Sequence, residues 1–117
     1  MTTQELKSRT KKFAIAVIKM VELLPRTKAA SVVEYQIVKS STSVGANYRA
    51  ACRARSKADF ISKITIVEEE IDESAYWIEI IQEAEMIAAE KLSELLKEAN
   101  ELTAIFTSTG KTARNNK

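Results

Sequence analysis

Residues 57–86, KADFISKITIVEEEIDESAYWIEIIQEAEM, decide the fold class. Phe60, Ile64, Val67, Ile71, Ser74, Ile78 and Ile81 recur at steps of three and four, the spacing of one face of an α-helix. Ile61, Ile66, Trp77 and Ile80 widen that stripe. Ser56 and Asp59 stand three apart, so the serine side chain can take a free amide at the helix start. The spacing predicts a helix over about 57–86.

Three further helices are predicted around it. The first spans 3–24, with Leu6, Thr10, Phe13, Val17, Met20 and Leu24 on one stripe and a capping pair at Thr2 and Glu5. Pro25 ends it, because proline lacks an amide and disfavours helical geometry in the residue before it. The second spans 31–55, opened by Ser31 and Glu34. It carries an apolar stripe (Val33, Ile37, Val44, Tyr48, Ala51) and a small, polar one (Gln36, Ser40, Ser43, Asn47, Ala50, Ala54). Two such stripes imply packing on two sides. Gly45 mid-helix costs up to about 1 kcal/mol relative to alanine, so close approach of another backbone is the expected compensation.

The fourth helix spans 89–109, with Leu92, Leu95, Leu96, Ala99, Leu102, Ile105 and Phe106 inward and Gly110 as its C-terminal cap. No proline or glycine marks the break before it, so pattern alone also permits one long helix from 57 to 109. The tail 111–117 holds three positive charges and no apolar residue but Ala113, and is expected to be disordered. The sum is one domain over 1–110, an all-α, up-and-down four-helix bundle. Its 117 residues can bury a core without a disulfide or metal, and only two glycines and one proline argue against a turn-rich β protein.

Composition excludes several functions. There is no histidine, hence neither the usual general base nor the commonest neutral metal ligand. A di-iron bundle built on Glu-x-x-His pairs is impossible. No glycine-rich phosphate loop is present. Cys52 has no histidine to activate it and reads as an inert or packed thiol. With a single cysteine, no leader and no apolar run of membrane-spanning length, the expected setting is the cytoplasm, without a membrane. No enzyme activity, cofactor, metal or small-molecule substrate is expected.

Charge is segregated. Residues 1–57 carry twelve Lys/Arg against three Asp/Glu, and residues 58–117 carry six against thirteen. The two halves then either neutralise each other or leave a basic patch for an acidic partner. Arg49, Arg53, Arg55, Lys57 and Lys63 gather near the Ser56–Lys57 corner as a candidate anion-binding patch. Few aromatics interleave, which favours backbone contacts to structured RNA or DNA over stacking on single strands. Glu68, Glu69, Glu70, Asp72 and Glu73 form the one dense acidic run, read as a solvated face rather than a cation site. Folding helix two onto helix three about that corner sets this run opposite residues 41–46. A seam network is therefore expected among Ser40, Ser43, Asn47, Glu70 and Glu73, the carboxylates accepting from Thr42, Ser43 or Asn47.

Two stretches resemble known signatures: Gln36-Ile-Val-Lys-Ser-Ser-Thr-Ser-Val-Gly-Ala-Asn47, and Asp59 through Trp77. Together with Phe13 and the Leu24-Pro25 helix end, they are similar to a small bacterial four-helix bundle family. That family is linked to open reading frames within intervening sequences of large-subunit ribosomal RNA genes. The resemblance covers roughly residues 10–110. It implies a homopentamer, and kinship with the accessory protein of diversity-generating retroelements, which contacts reverse transcriptase and nucleic acid. The family's usual glutamate a few residues after the asparagine is replaced here by Ala50, leaving Glu70 and Glu73 as the matching acids. Three readings follow. One is an oligomeric bundle that binds structured RNA, DNA or a nucleic-acid–protein complex. Another is a protein-interaction scaffold, and the remote third is a carboxylate-bound metal enzyme.

Overall fold

The computed structural model describes residues 1–116. The order is α1 (Thr3–Met20), a 3-10 turn (Val21–Leu23), α2 (Lys28–Ala51), α3 (Lys57–Glu83), a second 3-10 turn (Ala89–Lys91) and α4 (Ser93–Asn115). The four helices form an elongated bundle of 48 × 23 × 21 Å. The inward stripes make one core: Phe13 and Val17 from α1, Ile37 and Val44 from α2, Ile64, Ile71 and Ile78 from α3, Leu102 and Phe106 from α4. Phe106 stacks at a tilt on Tyr48, ring centres 5.3 Å apart.

Helix ends follow local chemistry. Thr2 and Glu5 form a reciprocal capping box, and the backbone amide of Thr2 holds the Glu5 carboxyl below its ordinary range. The chain ahead of Pro25 tightens into the 3-10 turn and leaves helical geometry at Leu24, whose ψ is 146°. Ser56 caps α3 by accepting from the Asp59 amide.

Six boundaries differ from expectation. In two a 3-10 turn takes the end of the helix: α1 stops at Met20 rather than 24, and α4 starts at Ser93 rather than 89. The second helix starts at Lys28, not 31, because Thr27 is the cap and accepts from the Ala30 amide. Ala30 is buried and extends the apolar stripe one turn back. The same helix ends at Ala51, not 55. α3 stops at Glu83, and Glu85 takes the left-handed position (φ 57°) that glycine usually fills. There Met86 N–H donates to Ile81 O and Glu85 N–H to Gln82 O, closing the helix with both bonds of a Schellman motif.

The last difference is at the C-terminus. Gly110 is not a cap but a buried residue inside α4, which continues to Asn115 through most of the tail expected to be disordered. Arg114 grips Glu68 of α3 through both guanidinium ends, at 3.0 and 3.1 Å. Lys117 lies outside the described residues.

The two helix glycines serve different contacts. A methyl group on Gly45 would meet Thr10 Oγ1 of α1 at 3.1 Å. Thr10 is fully buried and its hydroxyl donates to Leu6 O and Lys7 O, so it has no room to retreat. A methyl on Gly110 would meet Glu68 Oε1 at 2.5 Å and the Arg114 guanidinium at 2.9 Å, both the far ends of flexible side chains. Helix propensity favours alanine by about 1 kcal/mol at either site. Overpacking a rigid contact costs about 1–3 kcal/mol, whereas a partly exposed ion pair is worth about 0–1. Gly45→Ala is therefore expected to lower stability by about 1 kcal/mol, and Gly110→Ala to leave it unchanged or raised. Urea midpoints of the two variants check this; a stabilised Gly45→Ala would mean that α1 and α2 are not in close contact there.

Candidate functional site

The polar seam between α2 and α3 comes first. Folding about Ser56–Lys57 sets residues 68–73 opposite about 41–46, and in the structure the next pair along, Ser74 and Ser40, meets: Ser74 Oγ donates to Ser40 Oγ at 3.0 Å, both fully buried. The register expectation is thus within one residue, but the network differs from the one expected. Ser43 Oγ donates to Lys39 O, Thr42 Oγ1 to Val38 O, and Asn47 Nδ2 to Ser43 O, all within α2. Short hydroxyls and amides on a helix find a carbonyl one turn back more cheaply than a carboxylate on another helix. Glu70 offers Ser74 its backbone carbonyl, and the Glu73 carboxylate accepts from Trp77 Nε1 at 3.4 Å. Among the described residues, neither carboxylate bonds α2. The seam fixes register through two serines and shows no reactive group.

The acidic run is likewise dispersed. Glu68 is taken by Arg114, while Glu69, Asp72 and Glu73 are exposed. Among the described residues, no three of Cys, Asp and Glu converge as metal ligands. Cys52 lies exposed at the end of α2 rather than packed.

The cations are more informative. Arg9 is the one Lys or Arg of residues 1–57 held in an ion pair among the described residues. It meets Glu98 at 2.6 Å and Glu101 at 2.6 Å, and ties α1 to α4. The Glu98 carboxylate pushes the guanidinium pKa up. Within the predicted patch, Lys63 is held by Asp59 at 2.7 Å, and that ammonium holds the Asp59 carboxyl below its ordinary range. Lys63 is therefore occupied on its own helix. Arg55 and Lys57 are exposed at the corner, apart from the groove that takes Arg49 and Arg53.

Arg49 and Arg53 do. They form one wall of a groove of about 340 Å3 whose other wall is Gln4, Lys7, Ser8 and Lys11 of α1. Both walls follow from helix geometry, since residues four apart share a face. The antiparallel Thr10–Gly45 contact brings the start of α1 beside the end of α2. Four cations thus converge with no carboxylate on the lining, and none of the four is ion-paired among the described residues. Clustered cations without counter-ions raise the local potential and attract polyanions. Sequence reading missed Lys7 and Lys11. The available signal was their one-turn spacing, together with the Pro25 turn that folds α1 back on α2.

No helix among the described residues is long and apolar enough to cross a membrane. No curated protein matches the chain. A crystal structure of a protein with unknown function, from the S23 ribosomal protein family of Bacteroides thetaiotaomicron VPI-5482, is similar at 32% identity and a TM-score of 0.82. The match covers 90% of this chain and 97% of that one. The profile of the 23S rRNA-intervening sequence proteins matches residues 3–108. With that match over nearly the whole chain, and a solved relative agreeing in both sequence and shape, this chain belongs to the 23S rRNA-intervening sequence protein family.

Proposed function

We propose that this protein is a non-enzymatic, self-associating bundle that binds RNA, alone or within a nucleic-acid–protein complex, through the groove of Lys7, Lys11, Arg49 and Arg53. The observation that carries the reading is the convergence on one groove of four cations that make no ion pair among the described residues, in a chain of nearly balanced charge. Unpaired cations gain most from phosphates, because binding releases the counter-ions condensed on the nucleic acid. The name shared by the family, a 23S rRNA-intervening sequence, points to ribosomal RNA as the first ligand to test. Self-association is supported by Ile15, Ile18, Val32 and Tyr35, large apolar side chains left exposed on α1 and α2.

The test is fluorescence anisotropy of a labelled, structured ribosomal RNA fragment titrated with the protein at low and at physiological salt. Tight binding at low salt that weakens steeply at higher salt is the expected result. A folded protein that leaves the RNA free at low salt would favour a protein-interaction scaffold instead, with the exposed apolar residues as its contact surface.

A further inference from the structure

Two exposed patches of the bundle match each other. The first lies across α1 and α2. On α2, Lys28, Val32, Tyr35 and Lys39 follow at steps of four, three and four, all exposed on the side away from the core stripe of Val33, Ile37 and Ser40. Ile15, Ile18 and Lys19 are exposed on α1. The second patch lies on α3, where Asp72, Tyr76, Glu79 and Glu83 repeat the same steps, again all exposed. None of these lysines or carboxylates makes an ion pair among the described residues. The first patch is cationic around an apolar middle, and α2 holds a single carboxylate, Glu34. The second is anionic around an aromatic ring, with no Lys or Arg between Glu68 and Glu83.

We infer that the basic patch of one copy packs against the acidic α3 patch of the next, head to tail. The inference rests on the self-association reading above and names the two faces that meet. Two basic patches do not fit each other, because that sets Lys28 and Lys39 against lysines, and like charges across an interface repel. Nor do two copies satisfy both patches about one two-fold axis. Glu68, one turn before Asp72, reaches Arg114 of α4, whereas Ser74 reaches Ser40 of α2. The acidic patch therefore leans toward α4, while Ile15 and Ile18 carry the basic one onto α1, away from it. A different neighbour takes each patch, which makes the contact heterologous. Counting along the antiparallel helices from the Thr10–Gly45 and Ser40–Ser74 contacts, residue 18 stands level with 37, and 37 with 77. Both patches thus sit at one height on the bundle. The repeat then has no rise along the helices, so it closes into a ring rather than growing as a filament.

The experiment weighs the assembly by light scattering during size exclusion, at low ionic strength and one protein concentration. It uses the wild-type chain, Lys28→Glu/Lys39→Glu, Asp72→Lys/Glu79→Lys, and the variant carrying all four substitutions, each checked for native helicity by circular dichroism. The wild type is expected to contain more than two copies. Each double variant makes both patches alike in sign and should fall to the 13.1 kDa of one chain. The quadruple variant exchanges the signs of the two patches and should regain the wild-type mass. A wild-type mass of two copies, double variants that keep the wild-type mass, or a quadruple variant that stays monomeric overturns this pairing of faces while leaving self-association in place. A folded wild-type chain that runs as a monomer overturns both.

Discussion

Phe106→Ala is expected to destabilise the bundle by about 3–5 kcal/mol, the largest effect of any single substitution considered for this chain. Phe106 is fully buried on α4 and leans on Tyr48 of α2, so its ring ties the last helix to the second across the core. Truncation removes the transfer free energy of the ring and leaves a cavity walled by helices that relax only partly. An aromatic pair adds about 0.5–1.5 kcal/mol beyond area, which Tyr48 also loses. Phe106→Leu, which keeps much of the volume, is expected to cost under about 1.5 kcal/mol. Urea unfolding with an unchanged slope but a lowered midpoint checks both. A loss below about 1 kcal/mol for the alanine variant would mean that α4 is not docked through this residue. The exposed Tyr35→Ala serves as the control, expected within about 0.5 kcal/mol of wild type.

Replacing Lys7, Lys11, Arg49 and Arg53 together by glutamine should abolish the salt dependence of RNA binding. Four phosphate contacts give a slope of log affinity against log salt of about −3. Between 50 and 200 mM salt that amounts to a loss of roughly 50- to 150-fold. Removing the cations removes the released ions, so the slope should fall close to zero. Lys12 and Lys19 provide the comparison. They line a different furrow of α1, the one with α4 that also holds Glu94 and Glu98. Their replacement by glutamine removes two positive charges but no groove contact, so the slope should be preserved. If both sets of variants weaken binding equally, net charge rather than the groove governs association. Because the four groove residues make no ion pair among the described residues, fold stability should change little in the quadruple variant.

Most of the fold was legible because it is written in periodicity. The stripes through Phe13, Ile37, Ile71 and Phe106 all point inward, and the Thr2 and Ser56 caps stand where their spacing predicts. The α2–α3 register also emerged, since a short corner leaves an antiparallel pair little freedom to slide. What failed was local backbone chemistry that side-chain pattern does not record. Glu85 takes a left-handed conformation without being glycine, so the α3 terminus had no visible punctuation. Thr27 and Ser31 are both acceptable caps, and three good helix-forming positions between them decide for the earlier one. Gly110 looked like a terminus because glycine usually is one there. Its actual reason, room for the Glu68–Arg114 pair, depends on a helix forty residues away.

The candidate site was half legible for a similar reason. Arg49 and Arg53 were recognisable as a pair one turn apart, but charge clustering along the sequence drew in Lys63, which Asp59 of the preceding turn occupies. The true companions, Lys7 and Lys11, are forty residues upstream in sequence and meet the arginines only through the α1–α2 crossing. The expected carboxylate network failed because serine, threonine and asparagine on α2 are already satisfied by their own helix.

Amide chemical-shift mapping on the labelled protein, titrated with the ribosomal RNA fragment, tests most directly whether this groove is the binding surface. The predicted result is a contiguous set of perturbed amides covering Lys7, Ser8, Lys11, Arg49 and Arg53, with the outer face of α3 around Asp72 unmoved. Perturbations centred on α3 and α4, with the Lys7 and Arg49 turns unaffected by bound RNA, would contradict it.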